Sequence, residues 1–246
     1  FLAENEQGVT LIGLAPLFGL DAEAREGTRS VGPFTALWFL VFVIPFFLWV
    51  REPEKQKPLT RSVVRSGLRE LGHTLKSLPG HRSLLAYLLS STFYRDALNG
   101  IYAFGGIYAA GVLGWSIIQI GVFGILAASV GAAGCWVGGR ADRRFGPKPV
   151  IITCILALIV VCAVIISTDR SMILFLPVEA GSNAPDILFY LCGCLIGASG
   201  GAVQAASRTM MVRQANPDRM TEAFGLYALS GKALSFMAPG LIALAT

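Results

Sequence analysis

The stretch Gly138-Gly139-Arg140-Ala141-Asp142-Arg143-Arg144-Phe145-Gly146-Pro147-Lys148 constrains this chain more than any other. Residues 140–148 hold five charges, whereas 116–137 before them and 149–168 after them hold none. Each flank is long enough to cross a bilayer as a helix, which takes about 20 apolar residues. A short basic turn between two such helices belongs on the cytoplasmic face. That placement fixes the side of the membrane for every other connection.

The rest of the composition agrees. The chain is 54% hydrophobic and 14% charged, where soluble domains are about a quarter charged. The net charge of +5 comes from basic residues interleaved between apolar runs. These are orientation signals, so no nucleic-acid partner is expected. Cys135, Cys154, Cys162, Cys192 and Cys194 all lie in apolar runs, and His73 and His81 are remote from them. That spacing predicts no metal site, no cofactor and no disulfide framework.

Taken in order, residues 1–32 read as an outer loop or the tail of a truncated helix. The apolar part of this stretch, 8–20, is too short to span. Six spans are expected at 33–50, 83–111, 115–137, 148–168, 186–208 and 222–246, the first with a kink at Pro45. The connector 51–82 is basic. Within it Val63, Val64, Leu68, Leu71, Leu75 and Leu78 recur at helical spacing, which predicts an amphipathic helix on the inner membrane surface. Its first third, with Pro53 and Pro58, reads equally well as a solvated linker. Fifteen Lys and Arg fall on one side of this layout, at 51–82, 138–148 and 208–221. Three fall on the other, a bias that sets the orientation. Trp38, Trp49, Trp115 and Trp136 sit near span ends, as an aromatic belt requires. Gly193, Gly197 and Gly201 form one small-residue stripe, and Ala127, Gly131, Gly134 and Gly138 form another. Such stripes let helices approach closely in lipid.

A charge at a helix centre costs about 2.5–3.5 kcal/mol on insertion scales, so each one asks for a reason. Arg95 and Asp96 fall near the middle of the 83–111 span, followed by Asn99 and Tyr102. Asn99-Gly100 and Gly105-Gly106 predict a weakened helix beside this polar stripe, a pointer to a transport site; the alternative is an intrabundle salt bridge. Lys232 lies well inside the last span, and a coupling of Asp96 to Lys232 or Arg95 is expected. Gly225 to Gly231 is one residue too long for a phosphate loop, and Ala233 stands where Ser or Thr is needed. Gln204 lies deep enough to line a cavity, and Arg208 can snorkel to the surface.

The loop pattern Gly-x-x-x-Asp-Arg-x-Gly-x-Lys, carried by Gly139, Arg140, Asp142, Arg143 and Gly146, resembles the loop signature of the major facilitator superfamily. Phe93-Tyr94-Arg95-Asp96, Gln204-Ala205-Ala206-Ser207-Arg208 and the run from Phe224-Gly225-Leu226-Tyr227 through Ser230-Gly231-Lys232-Ala233 are similar to one branch of it. That branch is the "unknown major facilitator" family, which includes autophagy-related vacuolar amino-acid effluxers. Where relatives often carry Asn before the central Asp, this chain has Arg95.

The resemblance implies an all-α membrane protein with about six transmembrane helices. In it, 33–50 is the last helix of an N-terminal bundle and 83–246 an incomplete C-terminal bundle, so the partners include the missing helices of a longer chain. It further implies a secondary transporter exporting amino acids or similar small polar metabolites by alternating access. Arg95, Asp96, Asn99, Tyr102, Gln204 and Lys232 would serve substrate or coupling, and the loop signature would serve conformational change. The membrane is the cell membrane if the source is bacterial, or the vacuolar membrane if it is eukaryotic. A transport-inactive sensor or scaffold and a lipid-handling permease are the rival readings; no enzyme chemistry is expected.

Overall fold

A computed structural model describes residues 21, 24, 26–51, 61–179 and 181–245. The apolar run 8–20 and most of the connector's first third lie outside the described residues. The chain divides into two compact units, residues 1–64 and 65–246. In the first, a single helical turn, α1 (Glu26–Arg29), precedes α2 (Val31–Trp49). α2 runs through Pro45 without interruption and is apolar on every side, as a lipid-embedded helix is. α3 (Arg61–Ser77) crosses the boundary between the units and realises the helical spacing of the connector.

The second unit contains α4 (Arg82–Gly111), α5 (Ile117–Phe145), α6 (Pro147–Ile166), α7 (Ala184–Gln214), α8 (Met220–Ala233) and α9 (Met237–Ala245). Among the described residues, α2, α5, α6 and α7 are long and apolar enough to cross a membrane. The other two expected spans are α4, with its polar centre, and the α8–α9 pair. Among the described residues the architecture is all-α apart from a hairpin between α6 and α7, in which Met172–Ile173 pairs antiparallel with Leu176–Pro177.

α5 and α7 form the spine of this unit, and their two small-residue stripes meet face to face. A Cβ added at Gly138 would lie 2.6 Å from the Cβ of Ala202, and one at Gly134 would lie 2.6 Å from the Cα of Ala198. At Gly197 it would strike the backbone of Ala127, and at Gly201 the backbone of Gly131. Backbones this close leave no room for side chains, and dispersion contacts between them drive association where lipid removes the hydrophobic effect. Cys135 adds a hydrogen bond from its thiol to the Gly201 carbonyl, 3.2 Å away.

Three expectations are corrected. The charged stretch 138–148 is helical: α5 continues to Phe145, and the reversal is made by Gly146 alone, at φ +86°. Pro147 then opens α6, where a missing N–H costs nothing. The expected span 186–208 runs on to Gln214. The last span is broken at residues 234–236. A proline ring clashes with the carbonyl four residues earlier, here that of Ser235, so the helix restarts with Pro239 in its first turn.

On the opposite side from the basic loop, Asp186 at the start of α7 accepts a hydrogen bond from the Trp115 indole at 2.5 Å and pairs with Arg170 at 2.8 Å. Arg170 Nε also donates to the Leu113 carbonyl at 2.6 Å. These links tie the α4–α5 turn to the α6–α7 connection.

Candidate functional site

α4 is continuous through Asn99-Gly100 and Gly105-Gly106, so the expected weak point is not there. The break is instead in the helix pair that faces Arg95 and Asp96. Asp96, 8% exposed, accepts a hydrogen bond on Oδ2 from the Ala238 N–H at 3.0 Å. It thereby caps the restarted helix α9, and a carboxylate belongs at a helix N-terminus for both hydrogen-bonding and dipole reasons. Its other oxygen, Oδ1, is buried without a hydrogen-bond partner. Gly100 makes this approach possible, because a Cβ there would lie 2.9 Å from that of Ala238.

Arg95 does the complementary thing one residue earlier. Its Nη1 donates to the Tyr227 carbonyl at 2.8 Å, and its guanidinium carbon lies 4.2 Å from the centre of the Tyr227 ring. The guanidinium occupies the space that a side chain at Gly231 would fill. Adjacent residues on α4 thus grip the two halves of the broken helix with opposite charge. The expected coupling is corrected accordingly: among the described residues no ion pair joins Asp96 to Arg95 or to Lys232. Lys232 is exposed near the end of α8, and its carbonyl accepts the Ser235 hydroxyl at 3.0 Å.

The other candidates are placed as follows. Asn99 is exposed on α4. Tyr102 and Gln204 line one cavity of about 650 Å³ between α4, α5, α6 and α7. Its remaining wall is mostly apolar, built by residues such as Ile101, Phe104, Phe123 and Ile196, with Tyr108, Cys135 and Cys162 adding weakly polar groups. Asp96 and Arg95 are not in that wall, so the candidates do not form one cluster: Tyr102 of α4 and Gln204 of α7 line the cavity, and Arg95 and Asp96 face α8 and α9.

In the loop signature, Asp142 lies in the last turn of α5 and is 5% exposed. Its partner is Arg213 at the end of α7, with Oδ1 and Nη2 3.8 Å apart. Gly146 follows at φ +86°, a conformation that favours glycine, and a Cβ there would only touch Arg213 Nη1, at 3.5 Å. Gly139 is half-buried in α5. Arg140 and Arg143 are exposed, and Arg140 stacks over the Trp136 ring at 4.1 Å.

Sequence reasoning missed Arg213, Tyr227 and Ala238 as partners. The signal for Arg213 was the helical pattern continuing through Arg208-Thr209-Met210-Met211-Val212-Arg213. The signal for Ala238 was Pro239, which requires a break before it.

The family described as "Vacuole effluxer Atg22 like" matches residues 7–246. The chain is 28% identical over 210 residues to "Uncharacterized MFS-type transporter YxiO" of Bacillus subtilis, covering 85% of this chain and 45% of that protein. It is 23% identical over 224 residues to "Autophagy-related protein 22" of Coccidioides immitis, covering 84% and 36%. The protein of the same name from Botryotinia fuckeliana is 25% identical over 232 residues, covering 87% and 38%. The chain therefore spans less than half the length of the curated relatives it matches. No solved structure matches it. A match over nearly the whole chain, on a predominantly helical, multi-pass membrane architecture, shows that the chain belongs to the Atg22-like vacuole effluxer family.

Proposed function

We propose that the protein containing this chain is a secondary transporter that exports amino acids or similar small zwitterions by alternating access. One observation carries the reading: Arg95 and Asp96, side by side near the middle of α4, hold a broken helix with no counter-ion for either charge among the described residues. An isolated pair of packing charges would lower its cost by bridging. Here the guanidinium retains donors beyond the one given to Tyr227, and Asp96 Oδ1 accepts nothing. A zwitterion offers a carboxylate to the first and an ammonium to the second. Discontinuous helices mark substrate sites in transporters for the same reason, because their ends present unsatisfied backbone charge.

In this reading α2 is the last helix of an N-terminal bundle, and α4–α9 form most of a C-terminal one. Tyr102 and Gln204 line the path, Asn99 and Lys232 present polar groups to it, and the Asp142–Arg213 pair holds the cytoplasmic ends of α5 and α7 in one state. The test is efflux from proteoliposomes of the full-length protein loaded with a mixture of labelled amino acids. Saturable efflux of a subset is expected. No efflux of any amino acid, with the protein folded, would overturn the substrate class.

The mostly apolar wall of the 650 Å³ cavity favours a second reading, a lipid-handling permease of the same fold. Flipping of fluorescent lipid in the same liposomes distinguishes it.

A further inference from the structure

On the other side of the α5–α7 seam from the transport cavity lies a second concavity of about 840 Å³. The two share no lining residue. Its floor is the tight contact of Gly134 and Gly138 with Ala198 and Ala202, and its walls include Val130 and Val150. At one end it opens past Phe145 and Pro149. From Val130 to Phe145 it follows α5 for about 22 Å at 1.5 Å per residue. That exceeds one leaflet of hydrocarbon, roughly 15 Å deep, and falls short of the roughly 30 Å that a crossing helix needs. An acyl chain with its headgroup fits this length.

The two ends differ in charge. Val130 and Ala198 line the inner end, without a charge between them. The open end carries Arg144, whose guanidinium carbon lies 5.3 Å from the centre of the Phe145 ring, and the exposed Lys148 directly before Pro149. Exposed Arg140 and Arg143 stand nearby on α5. The acidic residue of the loop, Asp142, does not offset them, because it is buried and turned toward Arg213.

We propose that this groove is a binding site for one anionic phospholipid of the cytoplasmic leaflet. The groove takes an acyl chain, and Arg144 and Lys148 take the phosphate. The lipid here is a resident ligand, not cargo, and the proposal stands independently of the transport reading. Basic pockets between helices on the cytoplasmic side suit anionic headgroups, each cation contributing about fivefold in affinity.

Native mass spectrometry of the full-length protein, titrated with dioleoyl phosphatidylglycerol and with dioleoyl phosphatidylcholine, tests it. Phosphatidylglycerol should bind in preference. The double variant Arg144→Gln, Lys148→Gln should lower that affinity on the order of 25-fold and leave phosphatidylcholine unchanged, while Arg144→Lys, Lys148→Arg should retain it. Ala133→Phe, which fills the groove without altering charge, should weaken both lipids. Glycerol phosphate, which has no tails, should not compete. Equal binding of the two lipids by the unaltered protein, or unchanged phosphatidylglycerol binding in either the neutralised or the filled variant, overturns the proposal. Loss in the charge-preserving variant, or competition by glycerol phosphate, overturns it too.

Discussion

The α5–α7 seam and the contact between α4 and the α8–α9 pair join helices by opposite means. The seam is backbone on backbone, with Gly131, Gly134 and Gly138 of α5 pressed against Gly197, Ala198 and Ala202 of α7. The other contact adds to an apolar cluster of Tyr87, Leu88, Ala223, Leu226 and Tyr227 a guanidinium against a carbonyl and a carboxylate against a single N–H, across a helix that is already broken. A close-packed seam has one good arrangement, and its contacts fall away steeply with separation. A polar contact can exchange its partners, because each group remains a strong donor or acceptor elsewhere. In the transport reading proposed above, the first region is the fixed frame and the second the part that rearranges.

The largest effect should come from breaking the frame. Gly134→Leu puts a side chain where the Ala198 backbone stands and should cost about 3 kcal/mol or more. The readout is loss of monodisperse protein on extraction, and the same change at the exposed Gly124, where nothing lies near the added Cβ, should be tolerated.

The α4 contact should behave differently. Asp96→Ala removes the cap of α9 and should lower stability by about 1 kcal/mol. Asp96→Asn keeps an oxygen for the Ala238 N–H and should fold normally, yet abolish transport. Melting curves and proteoliposome efflux on the same preparations separate the two outcomes.

The Asp142–Arg213 pair stands between these cases. Its carboxylate is buried, but the arginine side chain is 53% exposed and the separation is 3.8 Å. Arg213→Gln should therefore change stability by no more than about 1 kcal/mol, while shifting the balance of transport states. Cysteine accessibility at positions along the transport path reports that shift, and an unchanged pattern would reduce the loop signature to an orientation signal.

The smallest effect concerns the outer hairpin. Hydrogen bonds from the Ser171 hydroxyl and backbone N–H, and from the Met172 N–H, hold the Asp169 carboxyl below the ordinary carboxylate range. A lowered folded value means that its contribution is complete above the ordinary value and is lost as pH falls through the lower one. Hydrogen exchange at Ser171 and Met172 should stay protected at neutral pH and speed up only in strong acid. Asp169→Asn should remove that pH dependence.

The two regions also differed in how far sequence reached. The stripes of the seam were legible, because a small residue every third or fourth position in an apolar run has few uses other than close approach, but not that the two meet each other, nor the part played by Ala198 and Ala202. The charges on α4 were legible as anomalies, but their partners were not. Partner choice depended on where the facing helix breaks, and the weak point was sought in the glycines of α4 rather than at Pro239. Gly231 carried a readable hint, since it clears the space that the Arg95 guanidinium fills. The loop signature was misread as a turn because its charges suggested solvent. A helix emerging from the bilayer carries basic residues on its last turn just as readily.

The central claim is that Arg95 and Asp96 serve a ligand and do more than pack α4 against the broken helix. Ligand-induced thermal stabilisation of the full-length protein tests it most directly, using a transported amino acid, its N-acetyl derivative and its amide. The unaltered protein should be stabilised most by the zwitterion. Asp96→Asn should lose the response to the amide, which offers only the ammonium, and Arg95→Gln the response to the N-acetyl form, which offers only the carboxylate. Equal stabilisation by all three compounds in the unaltered protein and in both variants would contradict the account, leaving the two charges as packing.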